Sequence, residues 1–270
     1  MTEKIKIIRE KLKKTSPLIH CITNPISINQ CANLILAVGC RPVMVEHPEE
    51  VGEITATANA LLLNIGNITD VRLKSIIISA KTAKEKEIPL VFDAVGVACS
   101  TLRKNFAQKL LQNHTPDVIK GNYSEINALY DSTYKTAGVD ADTSLEVSAV
   151  AAVAARLALK CGSIILASGK TDIITDGNTV IYVKNGTQQL AKITGTGCML
   201  GALASCYAAA ECNIYSIASA CAVFGICGEL AQTDKGTGTF SVNLMDRLST
   251  VLDEDIEKLI KAEVKDVEKT

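Results

Sequence analysis

The sequence predicts an α/β fold, a three-layer αβα sandwich with a largely parallel central sheet. Three observations carry that prediction. Short apolar runs alternate with longer amphipathic segments, one stretch breaks the rhythm with a hairpin signal, and the last third is dominated by Ala-rich helical patterns. Residues 1–14 alternate charge with Ile and Leu, which predicts an amphipathic helix and not a signal peptide. Apolar runs at Leu18–Ile22, 42–45, 61–65, 90–92, 118–119 and 164–167 have the length of buried strands. Helical patterns at 28–38, 70–86 and 102–113 lie between them, and such a βαβα order requires right-handed crossovers over a parallel sheet. Residues 172–183 differ, because two β-rich stretches flank Asp176-Gly177-Asn178, a hairpin turn that predicts an antiparallel edge. Helices are predicted over 198–210, 214–229 and 242–252, followed by a solvated, charged helix over 253–270. No linker, repeat or low-complexity tract interrupts the chain, so residues 1–270 read as one domain.

Composition narrows the function. Hydrophobic residues make up 47% and charged residues 21% of 270 residues, enough apolar material for a sizeable core. The 28 basic and 29 acidic side chains leave a formal charge of −1, so no overall field draws the chain to nucleic acid or an anionic membrane, and any anion site must be local. No run approaches the roughly 20 apolar residues of a membrane span. Ten cysteines stand without a CxxC pair, and His20, His47 and His114 have no metal-site spacing. This pattern predicts that most of them, Cys198 excepted, are small buried thiols in a reducing cytoplasm, with neither a disulfide nor a zinc framework.

The chemistry is expected where Gly195-Thr196-Gly197-Cys198 runs into a small-residue helix. Glycines let the backbone approach an anion, and open N–H groups with the positive end of the helix dipole point at whatever occupies the turn. A transferring phosphoryl group is what such a turn stabilises. The run is neither a P-loop, lacking Gly-Lys-Ser/Thr, nor GxGxxG. Cys198 falls at the helix N-terminus, where the dipole favours a thiolate that can act as a base. Asp93 ends an apolar strand, at the edge where open α/β sheets bind ligands, and Lys120 and Glu125 follow the next strand to the same edge. A carboxylate suits Mg²⁺ or its waters, and a lysine suits phosphate. Asn24 and Met44 close two further strands and can line a pocket. Taken singly, each has an ordinary reading too: an unliganded turn, a packed cysteine, a helix cap at Asp93, Asn122 or Ser124, an exposed Lys120, a core Met44.

In combination these residues resemble the hydroxyethylthiazole kinase family of the ribokinase-like group, over nearly the whole chain. The resemblance rests on His20-Cys21-Ile22-Thr23-Asn24, Pro42-Val43-Met44, Asn64-Ile65-Gly66, Asp93 with Val95-Gly96, Gly121-Asn122-Tyr123-Ser124-Glu125-Ile126, Gly138-Val139-Asp140 and Ile193 through Cys198, in that order. It implies ATP-dependent phosphorylation of 4-methyl-5-(2-hydroxyethyl)thiazole with Mg²⁺, in thiamin salvage. By resemblance, Asn24, Met44 and Gly195 face the thiazole, while Lys120 and Ser168 face ATP. Thr196, Gly197 and Cys198 then form the anion hole, and Asp93 and Glu125 arrange the metal, directly or through water or phosphate. A cytoplasmic homotrimer with active sites between subunits is also implied, with Met44 reaching a neighbour's pocket. The sequence departs from the pattern at Ala94 (commonly Pro), Lys120 (usually Arg), Ser168-Gly169 (commonly Thr-Gly) and Gly236-Thr237-Gly238-Thr239-Phe240, a variant of Gly-Pro-Gly-Ser-Phe. Lysine at 120 keeps the charge and loses the bidentate grip of a guanidinium. Two other readings stay open at this point. Ribokinase-like pyridoxal or pyrimidine kinases, or ATP-dependent dehydratases of hydrated nicotinamide nucleotides, usually carry Asp where this chain has Cys198. A non-catalytic thiazole-binding or thiol-sensing protein would have no need of the phosphate site.

Overall fold

A computed structural model describes residues 1–131, 133–134 and 145–267 of the chain. The Gly138-Val139-Asp140 motif lies outside the described residues. The sheet has nine strands: β1 (Leu18–Ile22), β2 (Arg41–Val43), β3 (Ala60–Asn64), β4 (Leu90–Asp93), β5 (Val118–Asn122), β6 (Ile164–Ser168), β7 (Asp172–Thr175), β8 (Thr179–Val183) and β9 (Ala262–Asp266). Their order across the sheet is β2-β1-β3-β4-β5-β6-β7-β8-β9. Pairings from β2 through β6 are parallel, and those from β6 through β9 are antiparallel.

The parallel strands are apolar on consecutive residues because both faces are covered. Leu62, Val91, Val118 and Leu166 point to one core, while Leu61, Leu63, Phe92, Ile119 and Ile165 point to the other. Among the described residues, the second face is covered by α3 (Val51–Thr57), α4 (Asp70–Glu85), α5 (Thr101–Asn113), α6 (Tyr123–Tyr130) and α7 (Val147–Cys161). The first face is covered by α1 (Thr2–Thr15), α2 (Ile28–Ala37), α8 (Thr196–Ala210), α9 (Ile214–Leu230), α10 (Thr237–Thr250) and α11 (Asp253–Leu259). The architecture is therefore the expected αβα sandwich. Helices α8 and α9 are apolar nearly all round, as befits helices buried in the core. Local caps set several helix starts: the side chains of Thr69 and Ser100 accept from the N–H groups of Arg72 and Arg103, and α7 stops at Gly162 in the left-handed region.

The hairpin forms as expected at Asp176-Gly177-Asn178, where the Asp176 carboxylate accepts from the N–H groups of Asn178 and Thr179. The charged tail corrects the expectation of a single helix over 253–270. Among the described residues of this tail the helix is confined to Asp253–Leu259, and Ala262–Asp266 adds an antiparallel strand to β8. An edge strand needs no continuous apolar run, because one ladder of backbone hydrogen bonds holds it and charged side chains protect its open side. Helix α10 also starts at Thr237, five residues before the apolar pattern that the sequence shows from residue 242. Thr237 and Gly238 at its start are exposed, and Phe240 alone of the first turn reaches the core, so that turn makes no apolar stripe.

Candidate active site

The strand order reverses between β1 and β3, and ligands of such sheets bind outside the carboxyl ends of the strands at that switch point. The polar residues singled out from the sequence gather there because parallel register brings the carboxyl-terminal parts of neighbouring strands side by side. Asn64 stands beside Asp93, Asp93 beside Lys120, and Asn122 beside Ser168. Asn24 follows the end of β1, and α8 begins over this edge.

Lys120 Nζ lies 3.1 Å from each Asp93 carboxylate oxygen. Neither group is a surface charge: Asp93 is 0% and Lys120 4% exposed. Burial raises the proton affinity of Asp93 against the opposing pull of the Lys120 charge and of hydrogen bonds from Lys120 and Asn64. For Lys120, burial works against the ammonium, but Asp93 first, then Glu125 and Cys198, more than offset it and hold its pKa above the ordinary lysine value. Glu125 completes a capping box at the start of α6. Its side chain accepts from Asn122 N–H at 2.6 Å and from Gly96 N–H at 2.7 Å, while Asn122 Oδ1 accepts from Glu125 N–H. Burial pushes the Glu125 carboxyl up to about 7, opposed by Lys120.

Gly195 begins α8 with φ +89°, a left-handed conformation that suits glycine, and a Cβ there would meet Ser27 Cβ at 2.9 Å. The first intrahelical bond runs from Met199 N–H to the Gly195 carbonyl, and no side chain caps the turn. The N–H groups of Thr196, Gly197 and Cys198 therefore stand ahead of it as donors for an anion. The Thr196 hydroxyl donates to the Leu190 and Ile193 carbonyls instead, fixing the approach to the turn. Lys120 fronts the same turn, since a Cβ on Gly197 would lie 3.4 Å from its Nζ. Cys198 is buried, and its Sγ accepts from Asn24 Nδ2 at 3.1 Å and from Asn64 Nδ2 at 3.3 Å.

Asn24, Asp93, Lys120, Gly195, Thr196, Gly197 and Cys198 thus form one contiguous site. Glu125 adjoins it through Gly96, and Ser168 through Gly121, whose carbonyl its hydroxyl meets at 3.3 Å. Met44 is not bonded into the cluster; it lies just past edge strand β2, half-buried against the core. Its loop is held firmly. His20 Nε2 meets the Val45 carbonyl at 2.9 Å, Arg72 Nε donates to Glu46 at 2.6 Å, and Ser75 donates to the Glu46 carbonyl. His20 thus acts as a strut between Thr55 and this loop. The family resemblance includes Asn64 within the Asn64-Ile65-Gly66 motif and implies no role for it. A polar side chain closing an all-apolar strand was the signal that could have found it.

As a metal centre the cluster is sparse. No group of three or more His, Cys, Asp or Glu that could hold an ion occurs among the described residues. The carboxylate oxygens of Asp93 and Glu125 already accept from protein donors: Asp93 Oδ2 from both Lys120 and Asn64, and Asp93 Oδ1 and each Glu125 oxygen from one donor, which leaves these three a second lone pair. That donor set fits Mg²⁺ held through its waters and the phosphates of a nucleotide, and not an all-protein cage.

Residues 9–254 match the model of the hydroxyethylthiazole kinase family. The chain is 46% identical over 259 residues to hydroxyethylthiazole kinase 2 of Clostridium botulinum, covering 94% of this chain and 98% of that protein. It is 43% identical over 258 residues to a hydroxyethylthiazole kinase of Clostridium perfringens, covering 92% and 97%. The solved structure of a hydroxyethylthiazole kinase protein from Pyrococcus horikoshii superposes with a TM-score of 0.89 at 30% identity, over 98% of this chain and 100% of that one. A pyridoxal kinase of Staphylococcus aureus shares the fold at a TM-score of 0.63 and 13% identity, over 93% of this chain and 98% of that one.

Proposed function

Since this chain belongs to the hydroxyethylthiazole kinase family, we propose that it transfers the terminal phosphoryl group of ATP to the hydroxyl of 4-methyl-5-(2-hydroxyethyl)thiazole, a step of thiamin salvage. The observation that carries this reading is the meeting of three elements at one strand edge: the open first turn of α8, the Lys120 ammonium in front of it, and a polar clamp on Cys198 beside both.

Phosphoryl transfer asks for positioning and charge stabilisation more than for covalent chemistry. The N–H groups of Thr196, Gly197 and Cys198 are placed to bind the oxygens of the transferring group, and Lys120 adds a positive charge in a water-poor site. Lys120 and Ser168 take the nucleotide side. Asn24, Met44 and Gly195 take the thiazole side, with the rigid 44–46 loop presenting Met44. Cys198 Sγ sits between the two sides and orients the attacking hydroxyl, receiving its proton late in the transfer if the sulfur is ionised. Asp93 and Glu125 would hold Mg²⁺ through water, and the ion when bound neutralises phosphate charge.

The assembly belongs to the same proposal. Ile26 is 61% exposed two residues from Asn24, an apolar side chain that a neighbouring copy would cover in a homotrimer with sites between subunits. No described helix is long and apolar enough to cross a membrane, and the ten free thiols suit a reducing cytoplasm. The purified protein incubated with Mg-ATP and the thiazole should yield the thiazole phosphate by mass spectrometry. ATP binding without product would move the proposal to another alcohol.

A further inference from the structure

We propose that Asn64 is a positioning residue for Cys198. Its amide, locked in one orientation by the backbone, holds the sulfur as a hydrogen-bond acceptor and ties it to the Asp93–Lys120 pair. This role rests on the kinase reading above and adds a residue to it.

The orientation follows from donors and acceptors alone. Asn64 Oδ1 accepts from Gly66 N–H at 2.8 Å and from Asn24 Nδ2 at 3.2 Å. Turning the amide over would set its NH₂ against two donors and leave the Gly66 N–H unpaired. Its Nδ2 must therefore face the site, where it reaches Asp93 Oδ2 at 3.0 Å and Cys198 Sγ at 3.3 Å. Asn24 is fixed in the same way, because its Oδ1 accepts from the N–H groups of Ile26 and Ser27, each at 3.2 Å. Its Nδ2 then also faces Cys198, at 3.1 Å.

Two amides that cannot turn thus present only donors to the sulfur, and Asn64 is 0% exposed, so water cannot take its place. A hydrogen on the thiol is directed away from both amides and toward the open side of the site. A thiolate is held by both. In either state the sulfur is fixed relative to the first turn of α8, which aims the attacking oxygen. Because one NH₂ group serves both Asp93 and Cys198, displacement of the carboxylate also displaces the sulfur.

The test is a double-mutant cycle with a chemical readout. Asn64→Ala is expected to lower kcat for the thiazole at least about tenfold while KM stays within about threefold, the split expected of a lost positioning contact. In a Cys198→Ala background the same change should lower the residual kcat less than about twofold, since its route of action is gone. Asn64→Asp keeps the acceptor for Gly66 N–H but sets a carboxyl against Asp93 Oδ2, so the proton the two carboxyls share lies between them and none is directed to the sulfur; it should lose at least as much kcat as Asn64→Ala. Iodoacetamide labelling of Cys198, read by peptide mass spectrometry against exposed Cys99, should change at least about fivefold in both variants. Labelling needs no turnover, so it reports on the clamp even if the acceptor proves not to be the thiazole. Equal losses of kcat in the two backgrounds, or unchanged Cys198 labelling in both folded variants, would overturn the proposal.

Discussion

Replacing Lys120 with Met removes one partner of a buried ion pair and keeps most of the side-chain volume. At 3.1 Å, with an effective dielectric near 20, the lost attraction is about 5 kcal/mol. That figure agrees with the roughly 3–5 kcal/mol found when one partner of a buried pair is deleted. Proton uptake sets a ceiling, because Asp93 can shed its charge by binding a proton. Relative to an ordinary Asp pKa of about 3.9, neutralising it costs at most about 5 kcal/mol at pH 7.5 and about 1.5 kcal/mol at pH 5. Asp93 in the variant has its folded pKa raised further, so the folded state holds more protons than the unfolded state and stability falls as pH rises. The deficit relative to wild type should therefore be several kcal/mol at about pH 7.5, or roughly 10 °C in Tm, and shrink to roughly 3 °C near pH 5. Thermal unfolding of both proteins at the two pH values measures this. A deficit of the same size at both, or none at either, would refute the argument that an uncompensated Asp93 charge is the cause.

Two further predictions test neighbouring parts of the site. Glu125, raised to about 7 by burial, contributes stability that is full below its unfolded value of about 4.3 and is lost as pH rises through 7. Glu125→Gln removes that titration, so the loss of stability between about pH 5 and 8 should shrink by about 2 kcal/mol in chemical denaturation; an unchanged pH slope would count against a buried, neutralisable Glu125. Gly195→Ala places a methyl 2.9 Å from Ser27 Cβ at a φ of +89°. It should cost about 1–3 kcal/mol in Tm-derived stability, raise KM for the thiazole and lower kcat by tilting the anion turn, and full activity with wild-type stability would contradict that geometry.

Much of the scaffold was legible because burial on both sheet faces leaves a plain signal. The runs at the heart of β3, β4 and β6 are consecutive apolar residues, β1 is apolar but for His20, and the Asp-Gly-Asn turn named its hairpin. Strand β9 was not legible: Ala262-Glu263-Val264-Lys265-Asp266 reads as charged surface, and only the open edge of β8, distant in sequence, makes it a strand. Lys120 illustrates a different limit. Its burial depends on Asp93, 27 residues away, and no local pattern distinguishes a paired lysine from a solvated one. The capping role of Asn122 was among the local readings, and the structure adds that Glu125 completes the box. No local pattern assigns Asn64 a role, because its partners come from two other strand ends, at Asn24 and Asp93, and a helix start, at Cys198, which only the switch-point topology brings together.

The central claim is that this strand edge passes a phosphoryl group from ATP to an alcohol. The most direct measurement is ADP release by the wild-type protein with Mg-ATP and the hydroxyethylthiazole, compared with the thiazole's O-methyl ether. ADP formed in equal amount to thiazole phosphate with the alcohol, and only background release with the ether, is the predicted result. ADP release that is the same with alcohol, ether or no thiazole would contradict the account.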